Sequence, residues 1–193
     1  MSAARDANPS DAPIVIIQAH PYPHLSRANR ALGEAIAGLP GVSVRALYDL
    51  YPDFAIDVEA EQRALEAASV VVWQHPLYWY TTPALLKLWF EKVLTAGWAY
   101  GSGGAALRGK PCLWVVTTGG DGLDYTPDGV HQHVFDAFAS VVRQTARFCG
   151  MRWLEPLVVH RAPQIEAEDL RAFGARYRAT LVALSRGEAA PHA

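Results

Sequence analysis

The sequence predicts a three-layer α/β sandwich around a five-stranded parallel sheet of strand order 2-1-3-4-5. Five strand-like segments alternate with helical ones along 193 residues, a length that suits one domain with a sizeable core. Such alternation implies right-handed crossovers and parallel strands. The first and third strand-like segments are the most apolar, and strands that are buried on both faces belong at the centre of such a sheet.

Each element has a local signal. The expected strands are Pro13 to Ala19, Val42 to Leu47, a segment that begins at Val70, Pro111 to Thr117, and Trp153 to His160 with an interruption at Pro156. The first expected helix begins near Ser26 and ends before Pro40-Gly41. The others are Val58 to Ala68 (a charged surface helix), Pro83 to Leu94 (Pro83 in the first turn), Val130 to Cys149, and Glu166 to Arg186. Gly150 stands in the position of a helix C-cap. Tyr48 to Asp57 and Gly97 to Lys110 are expected to be loops.

Composition limits the classes of function. The first twelve residues are polar and predict a disordered extension, so that residues 13–193 form the single domain. A net charge of −2 with both signs interspersed argues against a nucleic-acid partner. No uncharged apolar run approaches the roughly 18 residues of a membrane span, and we expect a cytoplasmic protein. Cys112 and Cys149 have no metal or redox spacing, which predicts plain packing.

Three apparent motifs fail in context. Gly104 to Lys110 has the spacing of a P-loop, but Pro111 replaces the magnesium-binding hydroxyl and a strand follows where a helix should. Gly101 to Ala106 matches a dinucleotide fingerprint in spacing alone. The histidine pairs at 20/24 and 131/133 lack the helical alignment and acidic partners that a metal site needs, so no metal is expected.

The loop after the first strand is a candidate anion site. His20 to Asn29 reads HPYPHLSRAN and ends in a hydroxyl at a helix N-terminus, where backbone N–H groups and the helix dipole can hold a phosphate. Ser26 would contribute the hydroxyl, Arg27 an N–H and charge, and Asn29 its amide. Ser26 could instead only cap its own helix.

Two further loops are expected at the same edge of the sheet. The loop His75 to Thr82 (HPLYWYTT) holds three aromatic rings that suit a large flat ligand, although they could form a core cluster. In Thr117 to Gly120, two glycines after a strand allow the backbone to approach such a ligand, although a simple turn would also suffice. Three ligand-type loops at one edge predict a phosphate-bearing planar ligand, and we expect a flavin.

At these residues the sequence resembles the flavodoxin-like NAD(P)H:quinone reductases, and within them the ancillary quinone reductases of glutathione-regulated potassium-efflux systems. The matching segments are HPYPHLSRAN, VVWQHP, PLYWYTTPALLKLWFEKV, GWAYG, GGAALRGK, TTGG and YDLYPDFAIDVEAEQ. The resemblance covers about Ile14 to Leu184. It implies FMN as cofactor, with the phosphate and ribityl end held by His20, Ser26, Arg27, Ala28 and Asn29, and the isoalloxazine ring lined by Pro76, Leu77, Tyr78, Trp79, Thr117, Thr118, Gly119 and Gly120.

The same resemblance places a tyrosine and a histidine beside the flavin, and Tyr125 and His131 have the matching spacing. They would hydrogen-bond the acceptor or supply a proton, although Tyr125 could be a loop anchor and His131 a first-turn residue. The expected activity is two-electron ping-pong hydride transfer from NAD(P)H to a quinone. The alternatives are a regulatory subunit of a potassium-efflux antiporter, peripheral at the inner face of the cell membrane, and a one-electron carrier, which the weak net charge disfavours.

A homodimer is also expected. The helix from Pro83 to Leu94 carries more apolar residues than one sheet face should need, and Trp98 and Tyr100 follow it. The family resemblance implies paired active sites built across two chains.

Overall fold

A parallel sheet forms the middle layer, and its strand order 2-1-3-4-5 confirms the predicted topology. The computed structural model describes residues 13–189, so the extension expected at residues 1–12 lies outside the described residues. The strands are β1 Ile14–Gln18, β2 Val42–Ala46, β3 Val70–Pro76, β4 Pro111–Thr117, β5 Arg152–Trp153 and β6 Leu157–Val159. Both β5 and β6 pair with β4, and Pro156 lies in the break between these halves of the predicted fifth strand.

Helices cover both faces of the sheet. They are α1 Arg27–Ile36, α2 Leu47–Leu50, α3 Val58–Ala67, α4 Ala84–Val93, α5 Phe135–Phe148 and α6 Ala167–Ser185. The core on one face contains residues of α1 and α6, and the core on the other contains residues of α3, α4 and α5. Gly150 follows α5 with φ of 73°, the left-handed conformation expected of a C-cap glycine.

One helix was not predicted, and two helices begin later than predicted. The short α2 lies in a segment expected to be loop, and its first residue Leu47 is fully buried. Pro83 is the N-cap of α4 and not a first-turn residue. The helix expected from Val130 begins at Phe135, because Gln132 has φ of 54°, a left-handed backbone that a right-handed helix cannot include.

The helix α3, expected to be a charged surface helix, buries one carboxylate completely. Glu61 accepts hydrogen bonds from Arg45 Nε at 2.6 Å, from the Tyr51 hydroxyl at 2.6 Å and from Trp89 Nε1 at 2.9 Å. Because buried charge is tolerated only when it is paired, these three donors explain how Glu61 can lie in the core. The contacts join α3 to β2 and α4.

Lys110, the last residue of the apparent P-loop, has a structural role. Its ammonium group donates to the carbonyl oxygens of Leu65 at 2.7 Å, Glu66 at 3.0 Å and Ala68 at 2.7 Å, at the C-terminal end of α3. A lysine at a helix C-terminus satisfies carbonyl groups that have no partner within the helix. The segment leads directly into β4, so the rejection of a P-loop is confirmed.

The homodimer stays a prediction, although part of the apolar surface of α4 is already covered within one chain. The apolar residues of α4, namely Leu85, Leu86, Trp89 and Val93, are fully buried inside the single chain. Among residues 13–189, no helix is long and apolar enough to cross a membrane, and no cluster of metal-ligating side chains occurs. Cys112 and Cys149 are both buried, in agreement with a packing role, and burial raises the pKa of the Cys149 thiol to about 11.

Candidate functional site

The loops that follow β1, β3 and β4 meet at the carboxyl edge of the sheet and enclose a cavity of about 570 Å³. This position agrees with the crevice where open α/β sheets bind ligands. Nine of the predicted cofactor-binding residues line it: His20, Ser26, Arg27, Pro76, Leu77, Tyr78, Thr117, Thr118 and Gly119. Tyr22 and Leu25 of the first loop also line it, as do Ala162 and Pro163, which the sequence did not indicate.

The N-terminus of α1 forms the polar end of this cavity. Ser26 is the N-cap, and its hydroxyl oxygen accepts from the backbone N–H of Asn29 at 3.3 Å. The backbone N–H groups of Arg27 and Ala28, the first two residues of α1, donate to no acceptor within the described part of the chain. Free N–H groups at the start of a ten-residue helix suit an anionic group such as a phosphate.

The side chains of Asn29 and Arg27, both predicted to bind the phosphate end of the ligand, bond to other parts of the protein instead. Asn29 is buried below the cavity, where its side-chain Nδ2 donates to Ser26 Oγ at 3.0 Å and to Thr117 Oγ1 at 3.4 Å, while its Oδ1 has no partner in residues 13–189. Asn29 therefore connects the loop after β1 to the end of β4. The guanidinium group of Arg27 donates to the Ile165 carbonyl oxygen, so its backbone N–H is the group left for a ligand.

His20 lies between the polar end and the aromatic loop. Its Nδ1 accepts from the Tyr22 N–H at 3.1 Å, and its ring meets Tyr78 edge-on with centroids 6.0 Å apart. Burial lowers the pKa of His20, which keeps the imidazole neutral at neutral pH. With Nδ1 an acceptor, the proton of the neutral ring is on Nε2.

The aromatic loop is a tight turn with a strained backbone. Tyr78 and Thr81 exchange backbone hydrogen bonds of 3.1 and 3.0 Å, and the two residues between them, Trp79 and Tyr80, have φ of 48° and 65°. Non-glycine residues in this conformation cost about 1–3 kcal/mol each and cluster at functional sites. Trp79 is 90% exposed, so it is not part of the core cluster that was the alternative interpretation.

His75, the first residue of this loop, anchors it from inside the core, a role that the sequence did not indicate. It is fully buried; its Nε2 accepts from Trp114 Nε1 at 2.8 Å, and its Nδ1–H donates to the Pro76 carbonyl oxygen at 2.9 Å. Desolvation lowers the pKa of His75 to about 4. The imidazole is therefore a neutral structural connector between β3 and β4, at the point where the aromatic loop begins.

A second cavity of about 220 Å³ adjoins the first through Leu77 and Gly119. It is lined further by Trp79, Tyr80, Gly120, Tyr125 and His131. The structure thus brings the predicted catalytic pair together, with ring centroids 4.4 Å apart. The Tyr80 hydroxyl also lies 3.4 Å from His131 Nδ1, which joins this pair to the aromatic loop.

Two glycines allow this arrangement. A Cβ atom on Gly120 would lie 3.2 Å from His131 Nε2 and 3.5 Å from Tyr125 Cε2, so both rings pack against this glycine. A Cβ atom on Gly129 would lie 2.4 Å from the Leu123 carbonyl oxygen, a clash that excludes any side chain. The close turn at Gly129 lets the His131 N–H donate to the Asp124 carbonyl oxygen at 2.9 Å. His131 is therefore held by a loop and not by a helix start.

Tyr125 is only 7% exposed, and burial raises the pKa of its phenol. The group therefore keeps its proton at neutral pH and is suited to donate it. His160, at the end of β6, was not recognised from the sequence. Its Nδ1 lies 3.0 Å from Thr118 Oγ1, and its ring lies 5.4 Å from that of Tyr125.

The family model described as "Flavodoxin-like fold" matches residues 12–181. The chain belongs to this flavodoxin-like family. It is 51% identical over 170 residues to the glutathione-regulated potassium-efflux system ancillary protein KefF of Salmonella typhimurium, a match that covers 88% of this chain and 96% of that protein. These findings confirm the resemblance proposed from the sequence.

Solved structures agree with this assignment. The general stress protein 14 of Treponema denticola, solved in complex with FMN, superposes with a TM-score of 0.85 and 34% identity over 89% of this chain and 99% of that one. An NADPH-quinone reductase from P. pentosaceus superposes with a TM-score of 0.79 and 28% identity over 86% of this chain and 95% of that one. Oxidoreductases are thus among the structural relatives of this flavodoxin-like protein.

Proposed function

We propose that this protein is an FMN-dependent NAD(P)H:quinone oxidoreductase that transfers two electrons by a ping-pong mechanism. The observation that carries the proposal is that the two cavities are neighbours, with Leu77 and Gly119 lining both. The unpaired N–H groups of α1 lie at one end, and the donor pair Tyr125 and His131 lies at the other, beside the double glycine. The FMN complex of a relative with 34% identity supports the choice of cofactor.

The residues present fit FMN. The N–H groups of Arg27 and Ala28 and the Ser26 hydroxyl would hold the phosphate. The N–H groups of Gly119 and Gly120, which have no acceptor among residues 13–189, would face the ring and stabilise negative charge on it. Pro76, Leu77 and Tyr78 would line one side of the ring. When bound, FMN supplies the ability to accept a hydride from NAD(P)H and to pass it on to an acceptor.

The protein's own groups would then control the proton that accompanies quinone reduction. The Tyr125 phenol, protonated at neutral pH, would donate to the oxygen of the acceptor that gains negative charge. His131, against Tyr125 and within 3.4 Å of the Tyr80 hydroxyl, would orient the phenol or supply a second proton. NAD(P)H and the quinone would occupy the same site in turn, beside Leu77 and Gly119, which line both cavities.

Steady-state kinetics with both substrates tests the mechanism. We expect parallel lines in double-reciprocal plots at several fixed quinone concentrations, because NAD(P)H oxidation and quinone reduction would be separate half-reactions. Lines that intersect would show that both substrates bind together and would contradict the ping-pong proposal. The same assay with NADH and NADPH gives the nucleotide preference.

A second candidate function is that of an ancillary subunit of a potassium-efflux antiporter at the inner face of the membrane. The 51% identity to KefF favours it, and the two functions are compatible. Co-purification of the tagged protein with membranes that contain the antiporter tests it. Recovery of the protein only in the supernatant, with and without the antiporter, would argue against this partnership.

A further inference from the structure

A short turn, residues 161–165, follows β6 and forms part of the wall of the large cavity. Two of its residues, Ala162 and Pro163, line that cavity. Its first residue, Arg161, has φ of 52°, a left-handed backbone that a non-glycine residue adopts only at a cost in energy. Within the turn, the Ile165 N–H donates to the Arg161 carbonyl oxygen at 2.8 Å. A wall with a strained backbone keeps its position only where neighbouring elements hold it.

One end of the 161–165 turn is bonded to the segment that contains the double glycine. The Arg161 N–H donates to the Gly120 carbonyl oxygen at 2.9 Å, and the Ala162 N–H donates to the Thr118 carbonyl oxygen at 2.9 Å. The guanidinium group of Arg161 also lies 3.5 Å from the Asp121 carboxylate. The position of the turn is therefore coupled to the backbone of the double glycine.

The other end of the turn is bonded to α1 by one side chain. The guanidinium group of Arg27, the first residue of α1, donates to the Ile165 carbonyl oxygen. Within residues 13–189, no other hydrogen bond joins α1 to this turn. The side chains of Ala162 and Ile165 additionally pack against the core on the α1 and α6 face. Arg27 thus connects the phosphate end of the cavity to the turn that is bonded to the double glycine.

We propose that Arg27 is a positioning residue whose side chain holds the 161–165 turn against α1 and thereby slows the release of bound flavin. This proposal rests on the proposed FMN site, and it assigns the guanidinium group a role other than direct contact with the phosphate. Without this group, one end of the turn would be free to open, and the wall at Ala162 and Pro163 would open with it. A hydrogen bond from a charged donor is strong enough to change such an opening equilibrium by about 10-fold or more.

Amide hydrogen exchange of the flavin-free, full-length protein tests this role without a ligand. Arg27→Met keeps the backbone N–H of α1 and the length of the side chain, and removes only the donors and the charge. We expect the amides of Arg161, Ala162 and Ile165 to exchange about 10-fold faster in this variant. The matched control is Arg30→Met, which removes the same charge from an exposed position further along α1 and should exchange as wild type does. Unchanged exchange in Arg27→Met would overturn the proposal.

Release of FMN and of riboflavin distinguishes a held turn from a direct phosphate contact, because riboflavin lacks the phosphate. Stopped-flow measurement should show both flavins leaving Arg27→Met about 10-fold faster than wild type, by the same factor. Arg30→Met should release both at the wild-type rates. An effect on FMN alone would mean that the guanidinium group contacts the phosphate, and this result or wild-type release of FMN would overturn the proposal. Failure of riboflavin to bind the wild-type protein would show that the phosphate alone retains the ligand, with the same consequence.

Failure of the proposed function gives a separate result. If the wild-type protein binds neither flavin, the FMN site is wrong, and a role of Arg27 in flavin release is wrong with it. The exchange measurement on the flavin-free protein would then still decide whether Arg27 holds the turn.

Discussion

Replacement of His75 by glutamine should remove a large part of the pH dependence of stability. His75 is fully buried. Its Nε2 accepts a hydrogen bond from Trp114 Nε1–H, and its Nδ1–H donates to the Pro76 carbonyl oxygen. Its pKa is about 4 in the folded protein, below the usual 6.5, because burial disfavours the charged form. Unfolding exposes the imidazole, which then takes up a proton below pH 6.5.

The sign follows from this difference. A group whose pKa is lower in the folded state contributes stability that is complete above pH 6.5 and is lost as the pH falls toward 4. Between pH 7.5 and 4.5, the two pKa values correspond to a loss of about 2.5 kcal/mol in the free energy of unfolding from this residue alone. Glutamine can accept from Trp114 and donate to Pro76, but it does not titrate.

Urea unfolding at both pH values measures the effect, with flavin content determined in parallel. His75→Gln should lose about 2.5 kcal/mol less than wild type between pH 7.5 and 4.5. His133→Gln, the same substitution at an exposed position, should keep the wild-type difference. An unchanged pH dependence in His75→Gln would refute the conclusion that His75 is a neutral buried connector.

Three further predictions concern the site and the assembly. Ser26→Asp should weaken FMN binding by at least about 100-fold, because the carboxylate and the phosphate in contact with it would repel by several kcal/mol. Fluorescence titration of the apoprotein measures the affinity, and Ser140→Asp at an exposed position is the control. Unchanged affinity would place the phosphate elsewhere. Tyr125→Phe with His131→Gln should keep FMN bound and slow quinone reduction by about 10²–10⁴-fold in stopped-flow experiments, whereas wild-type rates in both half-reactions would exclude a catalytic role. The protein should be a homodimer by light scattering at micromolar concentration, because a dimer would cover exposed apolar side chains beside the small cavity, such as Trp79 and Val130. A monomeric mass would contradict this.

The sheet order and the three site loops could be predicted because their signals are local. A continuous apolar run such as Val70 to Trp73 predicts a strand in the centre of the sheet. The N-cap at Ser26 and the C-cap at Gly150 depend on backbone groups within a few residues. The position of the site then follows from the topology, since the carboxyl ends of parallel strands meet at one edge.

The rest depended on contacts between residues that are distant in sequence. Glu61 was assigned to a surface helix because it is charged, and only the contacts with Arg45, Tyr51 and Trp89 make its burial possible. His160 gains significance only when β6 places it beside Thr118. His75 was the exception with a visible signal, because a single histidine at the end of an apolar strand needs buried partners.

The measurement that tests the central proposal most directly is the visible absorption spectrum of the purified protein under anaerobic conditions. We predict flavin bands that correspond to one FMN per chain, that bleach when NAD(P)H is added, and that return when a quinone follows. The absence of flavin bands after incubation with FMN, or bound FMN that NAD(P)H does not reduce, would contradict the assignment as an NAD(P)H:quinone oxidoreductase.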